Sequence, residues 1–342
     1  MKKRLLAAVL PLMLLAGCVP GGEQEPPTRT ADVFAMDTYM TLKASGSRAE
    51  PALDAATERI HELETLLSVT RDDSDVSRIN RAGGEPTIVA PDTAAVIRTA
   101  MDVAADTGNA LDIALYPVLR AWGFTTGSYQ IPSEETLQAL LTHTDPEQIT
   151  LEDYKVQVPE DYELDLGAVA KGYTGDQILE VFRQYGIKSG IISLGGNVQT
   201  IGLKPDGSRW TVGITDPAAP DSLLGKVSVK DCAVITSGNY ERFFEGDDGK
   251  RYWHILDPAN GRPAERGLSS VTVIGQNGAR CDALSTALFV MGTEQATAFW
   301  REQRGFEMIL VTDDGRILAT EGIAPDLEVE NGKQAEILHG EP

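Results

Sequence analysis

Residues 165–197 read DLGAVAKGYTGDQILEVFRQYGIKSGIISLGGN. Apolar side chains at helical spacing predict a helix over residues 176–185, and a single glycine ends it. The apolar run 187–194 that follows predicts a buried strand, which a pair of glycines terminates. The glycine-rich segment 165–172 ahead of the helix is typical of a turn whose backbone N–H groups bind an anion. A plain strand–turn–helix corner is the alternative, and this stretch alone does not decide between them.

Similar patterns predict further helices and strands along the rest of the chain. The predicted helices cover residues 51–67, 92–107, 132–141, 282–290 and 294–303. The predicted strands cover residues 33–42, 210–214, 226–229, 233–236, 271–274, 308–311 and 317–319. Helices and antiparallel-looking strands are mixed without a steady βαβ order. The expected fold class is therefore α+β (mixed α/β) rather than a doubly wound sheet.

Composition excludes several classes of protein. The 342 residues include 51 acidic and 30 basic side chains, for a net charge of −21. This acidic excess argues against a nucleic-acid partner, because phosphate binding needs clustered Lys and Arg. A hydrophobic content of 42% is enough to bury a core. Three cysteines cannot form a disulfide framework, and Cys232 and Cys281 can be buried thiols or one disulfide.

The N-terminus has the pattern of a targeting segment. Residues 1–17 combine a basic start with a short apolar stretch, as in a signal peptide, and the ending at Cys18 resembles the bacterial lipoprotein box. Lipid on Cys18 would anchor the protein on the extracytoplasmic (periplasmic) face of the bacterial cell membrane. Residues 18–30, rich in Pro and Gly, read as a flexible tether. The expected domain covers residues 31–325, and a polar, frayed tail covers residues 326–342.

Two groups of side chains indicate chemistry. Asp282 and Thr286 are four apart on a predicted helix and share one face, where their oxygens suit Mg²⁺. The alternative is that Asp282 only caps that helix. His254 lies among strand residues three positions before Asp257, and a histidine held in place can act as a general base. Asp257 can either orient the His254 ring or only cap the turn that follows it. A structural histidine bonded to the backbone is the alternative. Lys171 would add positive charge to the anion site.

Taken together and in this order, the motifs resemble the ApbE family, the FAD:protein FMN transferases, over about residues 36–292. The motifs are Met36-Asp37-Thr38, residues 75–80, Ala110-Leu111-Asp112 with residues 122–124, residues 165–172, Gly195-Gly196, residues 236–240, residues 254–258 and residues 282–286. The resemblance implies a two-lobed fold with mixed sheets flanked by helices, and a groove between the lobes that holds FAD.

The resemblance also implies roles for single residues. His254 would be the general base beside the reacting phosphate. The expected Mg²⁺ ligands are the backbone carbonyl of Ala168 and the side-chain oxygens of Asp282, Ser285 and Thr286. The expected FAD contacts are Met36, Ala110, Leu111, Asp112, Lys171 and His254.

The implied activity is cleavage of the FAD pyrophosphate with Mg²⁺ and transfer of FMN to a Thr or Ser hydroxyl, with release of AMP. The implied partners are flavoprotein subunits of membrane redox complexes that carry a short Ser/Thr flavinylation motif. Two other functions stay open. One is an FAD pyrophosphatase that yields FMN and AMP. The other is a non-catalytic FAD-binding lipoprotein, against which the joint presence of Asp282, Thr286 and His254 argues.

Overall fold

The computed structural model describes residues 26–340, so the predicted signal peptide, Cys18 and most of the predicted tether lie outside the described residues. The helices are α1 (Ala49–Leu67), α2 (Asp75–Asn80), α3 (Pro91–Asp106), α4 (Tyr116–Trp122), α5 (Glu134–Leu141), α6 (Gly167–Gln184) and α7 (Gly278–Gln303). The strands are β1 (Thr28–Ala35), β2 (Thr38–Ser45), β3 (Thr87–Ile88), β4 (Thr150–Glu152), β5 (Lys155–Gln157), β6 (Ser189–Leu194), β7 (Asn197–Ile201), β8 (Trp210–Asp216), β9 (Ala219–Val229), β10 (Ala233–Gly238), β11 (Phe243–Glu245), β12 (Arg251–Trp253), β13 (Leu256–Asp257), β14 (Arg262–Pro263), β15 (Leu268–Gly275), β16 (Glu307–Thr312), β17 (Ile317–Thr320), β18 (Leu327–Val329) and β19 (Ala335–Leu338).

A nine-stranded mixed sheet organises the fold, in the order β1-β2-β6-β7-β10-β15-β16-β17-β19. Its neighbours are antiparallel except β17 and β19, which run parallel. Both faces are covered, since alternate residues of β15 and β16 belong to different apolar clusters. Val273 and Leu310 pack with helices α3 and α7, whereas Ile274 and Ile309 pack with the small sheet β18-β9-β8. The predicted α+β class is confirmed.

Helices α6 and α7 cross at glycines. A Cβ on Gly172 would overlap the carbonyl oxygen of Gly278, and a Cβ on Gly278 would overlap the amide of Gln199. The Gln199 amide donates to the carbonyl oxygen of Gly172 at 2.8 Å, which fastens the crossing to β7. Only glycine lets the two backbones approach this closely. The crossing brings the start of α7 against the second turn of α6, beside β7.

A smaller apolar cluster lies beside the main core. It joins α4 and α5 to β13 through Trp122, Leu137 and Leu256. The Trp122 indole donates to the carbonyl oxygen of Gly261 at 2.7 Å. The antiparallel pair β11–β12 packs against this cluster through Phe244.

Several predicted boundaries are wrong. The strand expected over residues 33–42 is a hairpin of β1 and β2, because Met36 and Asp37 have φ of 50° and 60° and turn the chain. The helix expected to begin at residue 176 begins at Gly167. The two helices expected at the end of the core form one element, α7, with a kink at Gly292, where φ is 77°.

Both ends of the expected domain also differ. The predicted tether extends to residue 30, yet β1 begins at Thr28. The predicted frayed tail supplies two strands, because β18 pairs with β9 and β19 pairs with β17. These segments are too short to show a clear apolar pattern, and pairing with existing strands orders them.

Cys232 and Cys281 are free thiols. Burial raises the pKa of Cys232 to about 11 and raises that of Cys281 further still. Both therefore remain protonated at neutral pH. In the described range 26–340, no helix is both long and apolar enough to cross a bilayer.

Candidate active site

One cavity of about 900 Å³ brings most of the predicted site residues together. It lies where the β1–β2 turn, the first turn of α6, the second and third turns of α7, and the segment before α4 meet. This volume is near the upper end of the range for small-molecule sites. Predicted site residues that line it are Met36, Ala110, Leu111, Asp112, Ala168, Lys171, His254, Asp282 and Thr286. Ser285 does not line it.

Asp282 lies at the α6–α7 crossing. Its carboxylate Oδ2 accepts a hydrogen bond from the backbone N–H of Gly172 at 2.8 Å. Gly172 is four residues after Ala168, so in α6 its N–H lies beside the Ala168 carbonyl. The Asp282 carboxylate therefore reaches the turn of α6 that contains Ala168. Asp282 is 4% exposed, and this burial raises its pKa, although Lys171 acts in the opposite direction. A charged carboxylate that is buried at a cavity wall needs a cation beside it, because burial without a partner is costly.

Helix capping does not explain Asp282. The N-cap of α7 is Asn277, whose side-chain oxygen accepts from the Arg280 N–H at 2.7 Å. Asp282 lies five residues further along, inside the helix. The capping alternative is therefore wrong, and the carboxylate serves the cavity rather than the helix end.

The two hydroxyls next to Asp282, those of Ser285 and Thr286, have different surroundings. Thr286 lines the cavity one turn along from Asp282. Ser285 is fully buried, and its hydroxyl donates to the Asp282 carbonyl oxygen and lies 2.8 Å from the Ser237 hydroxyl. Asp282, Thr286 and Ala168 line the same cavity, and they offer carboxylate, hydroxyl and carbonyl oxygens of the kind that Mg²⁺ prefers. Ser285 positions Ser237 instead of facing the cavity.

His254 follows β12 directly and lines the cavity. Its Nδ1 lies 3.2 Å from the carbonyl oxygen of Arg242. A carbonyl only accepts, so Nδ1 carries the proton and Nε2 has the lone pair. Burial, followed by the charge of Arg242, lowers the pKa of His254 to about 3. The ring is therefore neutral at physiological pH and can accept a proton at Nε2.

Asp257 does not orient His254. Its carboxylate accepts from the Ala259 N–H at 2.9 Å and from the Arg266 guanidinium at 3.0 Å, which fixes the turn between β13 and β14. Of the two roles that the sequence left open for Asp257, turn capping is the correct one. The ring of His254 is held instead by Arg242 and by the edge of Phe124, with ring centroids 6.3 Å apart.

The carboxyl of Asp112 is a second unusual group in the cavity. Oδ1 accepts from the Ala114 N–H at 2.7 Å, while Oδ2 is buried and has no hydrogen-bond partner among the described residues. Burial raises the pKa of Asp112 to about 7. An unpartnered buried oxygen facing a cavity indicates a polar ligand group there.

The anion site at the start of α6 differs from the prediction. The Gly167 N–H is not free, because it donates to Asp165 Oδ1 at 2.8 Å. Lys171, Arg71 and Arg242 supply the positive charge of the cavity wall. An anion in this cavity would therefore meet these side chains rather than this backbone group.

Two glutamates in the cavity wall, Glu64 and Glu241, are not among the site residues predicted from the sequence. Glu241 lines the wall, where shielding from bulk water raises its pKa to about 7. Glu64 accepts from the Met36 N–H at 2.6 Å and so holds the turn of the β1–β2 hairpin. Glu241 directly follows the motif at residues 236–240, but Glu64 has no local signal, because its partner is 28 residues away.

Comparison with known proteins gives a consistent picture. The chain is 34% identical over 305 residues to the FAD:protein FMN transferase of Treponema pallidum, covering 84% of each chain. It is 33% identical to that of Vibrio cholerae, covering 91% of this chain and 94% of the relative. The crystal structure of the ApbE protein of Thermotoga maritima matches with a TM-score of 0.83 at 31% identity, over 88% of this chain and 99% of the other.

A further solved structure is the apo form of the flavinyl transferase ApbE of Pseudomonas stutzeri. Its TM-score is 0.80 at 28% identity, and the match covers 89% of this chain and 98% of the other. The ApbE family profile matches residues 36–310, which include every cavity residue described above. The chain therefore belongs to the ApbE family.

Proposed function

We propose that this protein is a Mg²⁺-dependent FAD:protein FMN transferase. The observation that carries the proposal is the shared cavity of Asp282 and His254. One is a buried carboxylate fitted to a cation, and the other is a neutral ring whose tautomer is fixed by a backbone carbonyl. Storage of FAD needs neither group, so the pair favours a reaction. The relatives named as FAD:protein FMN transferases support the choice of reaction.

The donor set assigns Mg²⁺ to Asp282, Thr286 and the Ala168 carbonyl. When bound there, Mg²⁺ neutralises phosphate charge and stabilises the leaving AMP phosphate. Lys171, which lines the same cavity, adds a second positive charge near the pyrophosphate. In a chain with a net charge of −21, such local charge is needed because there is no overall attraction for an anion.

A residue of this chain can accept the proton that the acceptor hydroxyl loses. The acceptor hydroxyl oxygen forms a bond to the phosphorus of the FMN half, the bridging P–O bond breaks, and AMP leaves. His254 Nε2 takes the hydroxyl proton. Its pKa of about 3 reflects burial and the charges of Arg242 and Lys171. The bound pyrophosphate brings negative charge to the same site, which raises the pKa again and makes the ring a stronger base.

We further propose that lipid on Cys18 holds the enzyme on the extracytoplasmic face of the membrane. Its acceptors would be flavoprotein subunits of membrane redox complexes with a Ser/Thr motif on the same face. The basic and apolar N-terminal pattern supports this placement.

Product analysis tests the reaction. The protein is incubated with FAD and Mg²⁺, with and without a protein that carries the acceptor motif, and AMP and free FMN are quantified. Transfer predicts that AMP appears with the acceptor and exceeds free FMN by the amount bound to protein. Equal AMP and free FMN under both conditions would identify a pyrophosphatase instead. No AMP at all would identify a binding protein.

A further inference from the structure

The tip of the β1–β2 hairpin carries an exposed aromatic pair that flanks, in the chain, residues that line the active-site cavity. Phe34 and Tyr39 face each other across the hairpin, with ring centroids 5.8 Å apart at 67°. They are 62% and 74% exposed. The residues between them turn the chain, and Met36 and Asp37 line the cavity. The pair is thus continuous in the chain with the wall of the site.

The turn that presents this pair is rigid and strained. Met36 and Asp37 both have positive φ, a conformation that two-residue hairpins usually assign to Asn-Gly. A non-glycine residue held there costs on the order of 1–3 kcal/mol, and such strain concentrates at ligand sites. The Glu64 carboxylate holds the Met36 N–H at 2.6 Å and keeps the tip in one conformation. The backbone that carries the two rings is therefore held in place, and the rings contact each other across it.

The size of the cavity limits how much of an acceptor protein can enter it. At about 900 Å³ it accommodates a small molecule but not a folded domain. A protein that delivers a hydroxyl to His254 must therefore keep its body outside and insert only a short segment. That body has to contact the rim, and exposed aromatic side chains on a rigid element are the groups that anchor protein interfaces most strongly.

We propose that Phe34 and Tyr39 form a docking surface for the acceptor protein, in contact with the polypeptide around the hydroxyl to be modified. This inference rests on the proposed function. We favour a protein over a membrane surface because the pair adjoins residues of the cavity wall. Phe34 also lies six positions along β1 from Thr28, which is roughly 20 Å from where the chain arrives from the predicted anchor.

The test replaces both rings with a strand-forming polar residue, in the variant Phe34→Thr/Tyr39→Thr. Its matched control is Ile337→Thr, because Ile337 is 42% exposed on β19 at the other edge of the same sheet. We expect the double variant to raise the KM for the acceptor about ten- to hundredfold, as the loss of two interface anchors does. The KM for FAD should stay unchanged, and the control should match the wild type.

Further measurements keep the result interpretable. FAD binding, followed by flavin fluorescence, shows whether the double variant is folded, and the swap Phe34→Tyr/Tyr39→Phe should keep the wild-type acceptor KM. Acceptor binding is also measured directly as a Kd without turnover. If the wild type binds the acceptor but never modifies it, the proposed function fails, while a weaker Kd in the double variant still supports the docking surface.

Transfer is assayed with both proteins in detergent solution and with both in phosphatidylethanolamine–phosphatidylglycerol vesicles. A raised acceptor KM in both media supports the proposal. An unchanged acceptor KM and Kd in the double variant would overturn it. A defect confined to vesicles would also overturn it, because the pair would then serve the membrane.

Discussion

Asn277 and Asp282, five residues apart at the start of α7, have two different roles. Asn277 caps the helix, whereas Asp282 faces the cavity at its crossing with α6. We predict that Asp282→Ala raises the Mg²⁺ concentration needed for half-maximal transfer at least tenfold, since a charged ligand is lost. The melting temperature should fall little, because the buried carboxylate is itself costly.

The matched control is Asn277→Ala. It should lower the free energy of unfolding by about 1 kcal/mol, which is typical of a lost N-cap, and leave the Mg²⁺ requirement unchanged. Mg²⁺ titrations of transfer and thermal melts of both variants provide the measurement. An Asp282→Ala protein that melts early but works at ordinary Mg²⁺ would contradict the assignment of the carboxylate.

Asp112 gives a prediction about pH. Burial raises its pKa from 3.8 to about 7, so between these values the folded protein holds a proton that the unfolded chain has released. The free energy of unfolding therefore falls as the pH rises through this window. Asp112→Asn keeps the oxygen that accepts from Ala114 and cannot ionise. Its stability relative to the wild type should rise by up to about 4 kcal/mol from pH 4 to pH 8.

Denaturant unfolding of both FAD-free proteins at these two pH values measures the difference. Because the two proteins are compared at each pH, contributions of other titrating groups cancel. A stability difference that is the same at pH 4 and pH 8 would show that Asp112 ionises normally.

At the level of single residues, the sequence identified which groups meet but not how each is held. The motifs predicted that Asp282, Thr286 and His254 matter, and all three line one cavity. The partner of His254 was sought in Asp257, three positions away, yet it is the carbonyl of Arg242, across the β11–β12 hairpin. A backbone carbonyl has no sequence signal, and hairpin register decides which one reaches the ring.

At the scale of elements, the crossing of α6 and α7 builds the side of the cavity that presents Asp282. In an exposed helix, Gly→Ala stabilises by roughly 0.5–1 kcal/mol. At Gly172 the added methyl group would overlap the backbone of Gly278 and the side chain of Asp282. We predict that Gly172→Ala lowers the free energy of unfolding by about 1–3 kcal/mol, as overpacking does. By displacing Asp282, it should also raise the Mg²⁺ concentration needed for half-maximal transfer.

Thermal melts and Mg²⁺ titration check this, with Glu180→Ala as the control on the same helix. Glu180 is exposed, so its removal should change stability by less than about 0.5 kcal/mol. A Gly172→Ala protein that is more stable than the wild type would show that helix propensity outweighs the close packing.

Elements with strong apolar periodicity were predictable, and those defined by distant partners were not. Helix α1 follows its predicted spacing, with Leu53, Ile60 and Leu63 buried. The β1–β2 turn was missed because Met36-Asp37 is not a usual turn sequence, and Glu64 on α1 holds it. The strands β18 and β19 were missed because they exist only through pairing with β9 and β17.

At the scale of the whole molecule, the anchor and the catalytic domain should be separable. Cys18 precedes β1 by ten residues, which span up to about 35 Å. We predict that Cys18→Ala leaves the protein unanchored or unprocessed but with normal FMN transfer. Membrane fractionation and a transfer assay on the same preparation test this. A variant that is processed and still fully membrane-bound would contradict the lipid anchor.

In the proposed reaction, FMN is attached to a protein hydroxyl in this cavity, with His254 as the base. Intact mass spectrometry of an acceptor-motif protein, after incubation with FAD, Mg²⁺ and enzyme, tests it most directly. We expect the acceptor to gain the mass of FMN less water, and a variant acceptor with Ala in place of its Ser or Thr to gain nothing. His254→Ala should still bind FAD and transfer about 10²–10⁴-fold more slowly. An acceptor of unchanged mass with the wild-type enzyme would contradict the function, and undiminished transfer by His254→Ala would remove the base from the mechanism.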